Sequence, residues 1–257
     1  MDLVSLGNFL KETIIREDGS RQYVLGGPSA YTTVCAAHLG AHAGIVSRVG
    51  SEMTSDHLEP FADAGVDQRG LDHDTPLTTT NELGYDDEGR KRILRYEHIA
   101  AAIDPDGIPD DYYDSRVFYV CGSNRDVELP LVKRLRKQAG LMAVDLTGLG
   151  GTGRSLQQNS WYQEDPDAFR NYLSYFDLVK ASVDDCELIT GQGPDSILPL
   201  IGEVLGSGPS IVLLTRGAGG TEVHTEDGIE KIPAHAAAAN VIDTTGAGDC
   251  YTAGFLF

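Results

Sequence analysis

Asp243-Thr244-Thr245-Gly246-Ala247-Gly248-Asp249-Cys250-Tyr251-Thr252-Ala253-Gly254-Phe255 is the stretch that organises the rest of the chain. Two glycines flank the small Ala247, so no bulky side chain covers the backbone there. The apolar run that follows (Cys250, Tyr251, Ala253, Phe255, Leu256, Phe257) predicts a helix buried on most of its faces. The glycine turn then sits at a helix N-terminus, where unpaired N–H groups and the positive end of the helix dipole favour an anion. Asp249 lies one residue past the turn. A carboxylate beside an anion site is electrostatically unfavourable and calls for a reason. The simplest is removal of a proton from a hydroxyl that attacks a phosphoryl group held by those N–H groups. The competing reading is a glycine-rich loop with an N-capping Asp.

Bulk composition narrows the field. The 257 residues can bury a substantial core, and 41% hydrophobic with 23% charged residues is the balance of a soluble globular protein. The net charge of −19 gives a surface that repels nucleic acid and anionic membranes, so neither is expected as a partner. Cys35, Cys121, Cys186 and Cys250 show no Cys-x-x-Cys or zinc spacing and read as buried free thiols. No signal peptide precedes the first strand and no apolar run reaches the length of a membrane span, so a cytoplasmic location is expected.

Short apolar runs alternate with amphipathic stretches. Strands are predicted at 3–6, 44–49, 116–120, 141–146, 176–179 and 211–215, and helices at 28–39, 55–64, 127–138, 166–175, 196–205 and 248–257. That alternation favours right-handed crossovers and a largely parallel sheet with helices on both faces. Two segments break it. Residues 12–25 carry Asp18-Gly19 between β-prone arms, and 81–96 carry Asp87-Glu88-Gly89 in the same place, so both read as hairpins. Residues 147–163, rich in Gly, Ser and Gln, are expected to be irregular.

The opening stretch as a whole resembles the second signature of the ribokinase-like (PfkB) carbohydrate kinases. Gly26-Gly27-Pro28-Ser29-Ala30-Tyr31-Thr32-Thr33-Val34-Cys35-Ala36-Ala37-His38-Leu39-Gly40 resembles the first, where paired glycines open a helix. The resemblance implies a three-layer α/β sandwich with a mainly parallel central sheet and a small β lid built from the two hairpins, as a single domain over 1–257. It also implies a C-terminal segment beyond Phe257, and a second copy of the chain docked on the lid. The implied activity is transfer of the ATP γ-phosphate to a small sugar or polyol, with Asp249 as general base and Gly246, Ala247 and Gly248 as anion hole.

On the acceptor side the resemblance implicates Glu12, Gly26, Gly27 and Tyr31. Glu12 stands where many family members carry Asp, and Tyr31 where Asn is common. Both departures weaken a claim for ribose and leave room for another sugar, an inositol or a nucleoside. Ser29 and Thr32 add hydroxyls near the same mouth. On the donor side, the strand and glycine turn at 210–220 resemble the segment beside ATP, which assigns Thr215, Gly217 and Gly220 to the nucleotide. Arg216 reads as a phosphate-neutralising or a solvated turn residue. Ser182 and Asp185 stand where family members hold magnesium through water, though Ser182 is equally a good helix N-cap. Asp243 and Thr245 stand where many members bind a monovalent cation, usually potassium. Two rivals remain: a sugar or nucleotide sensor without catalysis on the same fold, and a dinucleotide-binding dehydrogenase. Against the second, Gly7 stands alone before Asn8, with no Gly-x-Gly-x-x-Gly.

Overall fold

The computed structural model describes residues 1–16, 18–85, 91–138, 140–235 and 244–257, with only the backbone at 85 and 91. In chain order its strands are β1 (Leu3–Leu6), β2 (Leu10–Ile15), β3 (Arg21–Gly26), β4 (Ala43–Gly50), β5 (Asp67–Thr75), β6 (Thr79–Tyr85), β7 (Lys91–His98), β8 (Val117–Val120), β9 (Leu141–Asp145), β10 (Leu178–Ser182), β11 (Ile211–Thr215), β12 (Thr221–Thr225) and β13 (Gly228–Ile232). Its α-helices are α1 (Pro28–His38), α2 (Ser55–Asp63), α3 (Leu129–Arg136), α4 (Trp161–Glu164), α5 (Pro166–Leu173), α6 (Val183–Thr190), α7 (Ile197–Gly206) and α8 (Ala247–Leu256).

The main sheet runs β13-β12-β11-β10-β9-β8-β1-β4-β5. Every pairing from β11 to β5 is parallel, and β12 and β13 add an antiparallel edge. Its strands read as short apolar runs because both faces are covered. Val4, Phe118, Met142, Val144 and Val212 pack beneath α3, α5, α6 and α7. The alternate residues Leu3, Tyr119, Ala143 and Leu213 meet α1 and α8 on the other face. The architecture is the expected α/β sandwich.

β1 is flanked by β4 on one side and β8 on the other, so the chain order reverses there. In an open parallel sheet that reversal leaves a crevice beyond the C-terminal strand ends. Gly7 makes its floor thin: a side chain there would begin 2.8 Å from the Cys121 carbonyl oxygen.

Over this crevice lies a second sheet, β3-β2-β6-β7. Two antiparallel hairpins, β2–β3 and β6–β7, join through parallel pairing of β2 with β6. This is the lid, slightly longer at each end than the 12–25 and 81–96 expected. Its first hairpin turns at Gly19 with φ 79°; the second tip, Asp87-Glu88-Gly89, lies outside the described residues. Ile14, Leu83 and Ile93 cluster with Val24 and Tyr96. Elsewhere on the lid Glu82 pairs with Arg21 and Arg95, and Tyr23 is exposed.

Several expectations need correction. Among the α8 side chains, Thr252 and Ala253 are buried, but Phe255, and Phe257 beyond its end, are exposed. Cys121 and Cys186 are buried thiols, whereas Cys35 is half-buried and Cys250 exposed. The strand placed at 176–179 starts two residues later, because Phe176 completes the turn after α5 with its N–H on Leu173. β5 went unread because Asp67, Arg69, Asp72 and Asp74 give an edge strand little apolar pattern.

Candidate active site

α8 begins at the glycine turn as the sequence predicts. Gly246 is its N-cap with φ 75°, a conformation that side-chain-bearing residues rarely adopt. A Cβ on Gly246 would begin 2.8 Å from Tyr31 Cγ, and one on Gly26 would begin 2.7 Å from the Tyr31 hydroxyl oxygen. The Tyr31 ring therefore spans the two signatures, touching one glycine of each. Gly27, at φ 109°, caps α1. Ser29 donates to the Gly7 carbonyl at 2.8 Å, and both Ser29 and Thr32 are buried, so their hydroxyls do not stand at the mouth as expected.

The first N–H groups of a helix have no intrahelical acceptor. Here Ala247 donates to the Thr244 carbonyl at 3.1 Å and Cys250 to the Gly246 carbonyl at 2.9 Å. Gly246, Gly248 and Asp249 keep N–H groups without a backbone acceptor among the described residues. Of the three expected donors Gly246 and Gly248 are thus open, with Asp249 beside them in place of Ala247.

Asp249 is half-buried. Burial pushes its carboxyl up to about 7; Lys180 opposes that rise, and Asp145, Asp185 and Glu12 add to it. Lys180 and Asp145 escaped the sequence reading. Lys180 Nζ lies 3.0 Å from Asp145 Oδ2 and 3.9 Å from Asp185 Oδ2. A Cβ on Gly248 would begin 3.4 Å from that ammonium, so the charge sits against the start of α8. Burial works against the charged form of Lys180, but Asp145, Asp185 and Asp249 outweigh it and hold the ammonium protonated. The available signal was a lysine inside the apolar run Leu178-Val179-Lys180-Ala181. A buried charge in such a run needs partners.

On the acceptor side, Glu12 stands in register with Asn81, and Asn81 with Tyr96, so the three form a row across β2, β6 and β7. Asn81 Nδ2 approaches Glu12 Oε1 at 3.4 Å. Tyr96 donates its hydroxyl to the carbonyls of Gly153, at 2.5 Å, and Ser123, at 3.3 Å. Asn81 and Tyr96 also went unread, since register between hairpins distant in sequence is not visible in either one alone. Asp126 closes the floor: its Oδ2 accepts from the Asn8 N–H at 2.6 Å, and burial pushes its carboxyl up to about 6.

The donor-side residues lie where β11 turns into β12. Thr215 Oγ1 donates to the Ala181 carbonyl at 3.3 Å. Gly217 has φ 53° and Gly220 φ 87°, and a side chain on Gly220 would begin 2.2 Å from the Ile232 carbonyl oxygen. Arg216 is exposed in the turn, as the solvated reading expects, and pairs with Glu222 at 3.0 Å.

Ser182 and Asp185 form a capping box on α6. Asp185 Oδ2 accepts from the Ser182 N–H at 2.8 Å and its hydroxyl at 2.7 Å, while Oδ1 accepts from the Thr152 N–H and hydroxyl, each at 2.8 Å. Burial pushes the Asp185 carboxyl up, but Lys180, Thr152 and Ser182 more than offset this and hold it below the usual range. Asp185 thereby accepts four hydrogen bonds and keeps no lone pair open for a metal shell, while the Ser182 hydroxyl, which donates once and accepts once, keeps one. No cluster of three or more His, Cys, Asp or Glu among the described residues is arranged to hold a metal ion. Thr245 is exposed in the turn before α8; Asp243 lies outside the described residues.

An acid, a cation and a helix N-terminus beneath a β lid on a parallel sheet define a phosphotransferase-like site. The chain belongs to the pfkB family of carbohydrate kinases, whose family model matches residues 1–257. It is 25% identical over 261 residues to a cytidine kinase of Thermococcus kodakarensis, covering 100% of this chain and 87% of that one. It is 27% identical over 243 residues to an aminoimidazole riboside kinase of Salmonella typhimurium, covering 90% and 72%. Among solved structures it is similar to a pyrophosphate-dependent kinase in the ribokinase family, complexed with a pyrophosphate analogue and myo-inositol. That match has a TM-score of 0.76 at 18% identity and covers 99% and 85% of the two chains. No helix among the described residues is long and apolar enough to cross a membrane.

Proposed function

We propose that the protein transfers the γ-phosphoryl group of ATP to a hydroxyl of a small sugar, nucleoside or polyol. The observation that carries this reading is the position of Asp249, a carboxylate held close to neutrality at the open N-terminal end of α8.

In this reading Asp249 takes the proton from the acceptor hydroxyl as its oxygen bonds to the γ-phosphorus. The bond from that phosphorus to the β-phosphate oxygen breaks, and ADP departs with the electron pair. The N–H groups at the start of α8 and the Lys180 ammonium face the charge that builds on the transferring group. Glu12, Asn81 and the backbone at Gly26 and Gly27 orient the acceptor, while Thr215, Gly217 and Gly220 border the donor. The lid keeps water, a competing nucleophile, from the reacting phosphorus. Magnesium, when bound, would neutralise donor charge; Asp185 is spent on the α6 cap, so of this pair the Ser182 hydroxyl is the group that would hold the ion through water. A monovalent cation at Asp243 and Thr245 stays within the proposal and would show as potassium-dependent turnover.

The test is ADP release from Mg–ATP with sugars, inositols and nucleosides, including cytidine, aminoimidazole riboside and myo-inositol, the compounds named for the similar proteins. The expected result is acceptor-dependent release that Asp249→Asn abolishes. Acceptor binding without release, in wild type and variant alike, would sink the kinase reading in favour of a sensor.

A further inference from the structure

The chain carries 39 acidic residues against 20 basic ones, so an arginine without a carboxylate partner is out of the ordinary. Arg154 is one. It donates to the backbone carbonyls of Gly150, at 3.3 Å, and Gln158, and no acidic side chain pairs with it among the described residues. Burial pushes its pKa below the usual arginine value. A partly buried guanidinium held only by neutral carbonyls lacks the counter-charge that would offset its desolvation.

Arg154 lines a cavity of about 300 Å³ beyond the C-terminal ends of β8 and β9. Arg125 lines it too, over the Trp161 ring at 5.5 Å and 3.9 Å from Glu164. Two arginines against one glutamate leave the lining net positive in a protein of charge −19. Arg125 has φ 55°, the one non-glycine residue at positive φ among the described residues. Ser123, 2% exposed, completes the wall, and its Oγ is buried with no hydrogen-bond partner among the described residues. An unpaired buried hydroxyl and an unpaired guanidinium lining one cavity are the complement of an oxyanion.

The cavity adjoins the lid. Tyr96 donates to the Ser123 and Gly153 carbonyls, Ile93 bridges to Ser155, and the Leu156 N–H donates to the Ile93 carbonyl at 2.9 Å. Tyr96 ends the row that begins at Glu12, and Glu12 is close enough to Asp249 to raise its pKa. Two strand spacings separate Glu12 from Tyr96, about 10 Å, the length of a phosphorylated or acidic sugar. The cavity lies beyond β8 and β9; β8 adjoins β1, which leads to Glu12, and is three strands from β11, which the proposed donor turn follows, so the cavity is on the acceptor's side.

We propose that this cavity receives an anionic group, phosphate or carboxylate, at the end of the acceptor remote from the hydroxyl that is phosphorylated. The proposal rests on the kinase reading above and deepens it: the acceptor is an acidic or already phosphorylated polyol, held by Arg154, Arg125 and the Ser123 hydroxyl.

The experiment compares neutral and anionic members of matched pairs, ribose with ribose 5-phosphate and glucose with gluconate. ADP release and the shift in melting temperature are read in wild type, Arg154→Gln, Arg154→Lys and Arg125→Gln. The anionic member is expected to win in kcat/KM. Arg154→Gln should cut the anionic-to-neutral ratio by about 10- to 100-fold, the worth of one charged hydrogen bond. Arg154→Lys should restore part of that loss. Arg125→Gln, whose side chain lies at the cavity mouth, gives the same test should the Arg154 variant fold poorly. Equal turnover of neutral and anionic members, unchanged by either variant, overturns the proposal and leaves the kinase reading standing. Arginine-dependent stabilisation by the anionic member without ADP release upholds the site and counts against the kinase reading. Inorganic phosphate stabilising as strongly as ribose 5-phosphate makes this a free-anion site and overturns the acceptor assignment.

Discussion

The ammonium of Lys180 lies 3.0 Å from the Asp145 carboxylate, and both side chains are withdrawn from solvent. The pair sits beneath the start of α8, where Asp249 feels each member with opposite sign. Lys180→Met would leave Asp145 and Asp185 buried with no cation. Breaking a buried pair by removing one member typically costs about 3–5 kcal/mol. Urea denaturation of Lys180→Met should show a loss of that size, and any residual activity should need a higher pH than in wild type.

Turnover should depend on pH through Asp249. Its carboxyl must be ionised to accept a proton, and its pKa is about 7. The logarithm of kcat/KM is therefore expected to fall with unit slope below that pH and level off above it. A flat profile between pH 5 and 8 would remove Asp249 from the role of base.

Stability carries the opposite consequence. The folded pKa lies above the unfolded value of 3.8, so the folded state binds this proton more tightly. Below that unfolded value the group is neutral in both states; the cost of the buried charge grows as pH rises and is complete above about 7, on the order of 4 kcal/mol. Asp249→Asn should melt higher than wild type at pH 8 and lose that advantage toward pH 4, while turnover falls by about 10²–10⁴. Melting curves across that range, paired with rates, check both halves.

Gly246 is held by two independent constraints, a φ of 75° and the Tyr31 ring. Gly246→Ala is expected to cost more than the roughly 1 kcal/mol of a left-handed alanine, because its methyl would meet that ring. Tyr31→Ala should recover part of the cost, with a coupling of about 0.5–3 kcal/mol in the double-mutant cycle. Strict additivity would mean that the ring moves aside freely.

Tyr96→Phe removes the hydroxyl that ties the lid to Gly153 and Ser123. Global stability should fall by only about 1 kcal/mol. Amides of β6 and β7 should exchange faster, and KM for the acceptor should rise several-fold. Unchanged lid exchange would mean that the Ile93–Ser155 bridge holds the lid unaided.

The parallel sheet was legible because Leu3–Leu6, Leu141–Asp145 and Ile211–Thr215 are buried on both faces and so carry unbroken apolar runs. α8 was legible from its glycine turn, though not its burial, which depends on packing partners rather than on local composition. The lid was legible as two hairpins, each with its own turn chemistry. What stayed hidden is what only tertiary register creates. Lys180, Asp145 and Asp185 belong to the ends of β10 and β9 and the start of α6, and their charges find one another only once β9 and β10 pair. Asp185 shows the limit from the other side: its spacing from Ser182 serves a helix cap as well as a metal shell, and the capping geometry is the one found.

The parallel pairing of β2 with β6 has a consequence for how the molecule comes into being. Leu10–Ile15 and Thr79–Tyr85 meet only after α1, β4, α2 and β5, which lie between them, have been laid down. A two-stranded hairpin alone is marginal in water, and closing a long loop costs entropy that only later contacts repay. The cover of the cleft is therefore a late product of folding. Protection of β2 and β6 amides should appear together in pulse-labelled refolding, after that of β1 and β4, so the crevice stands open before the shield over it.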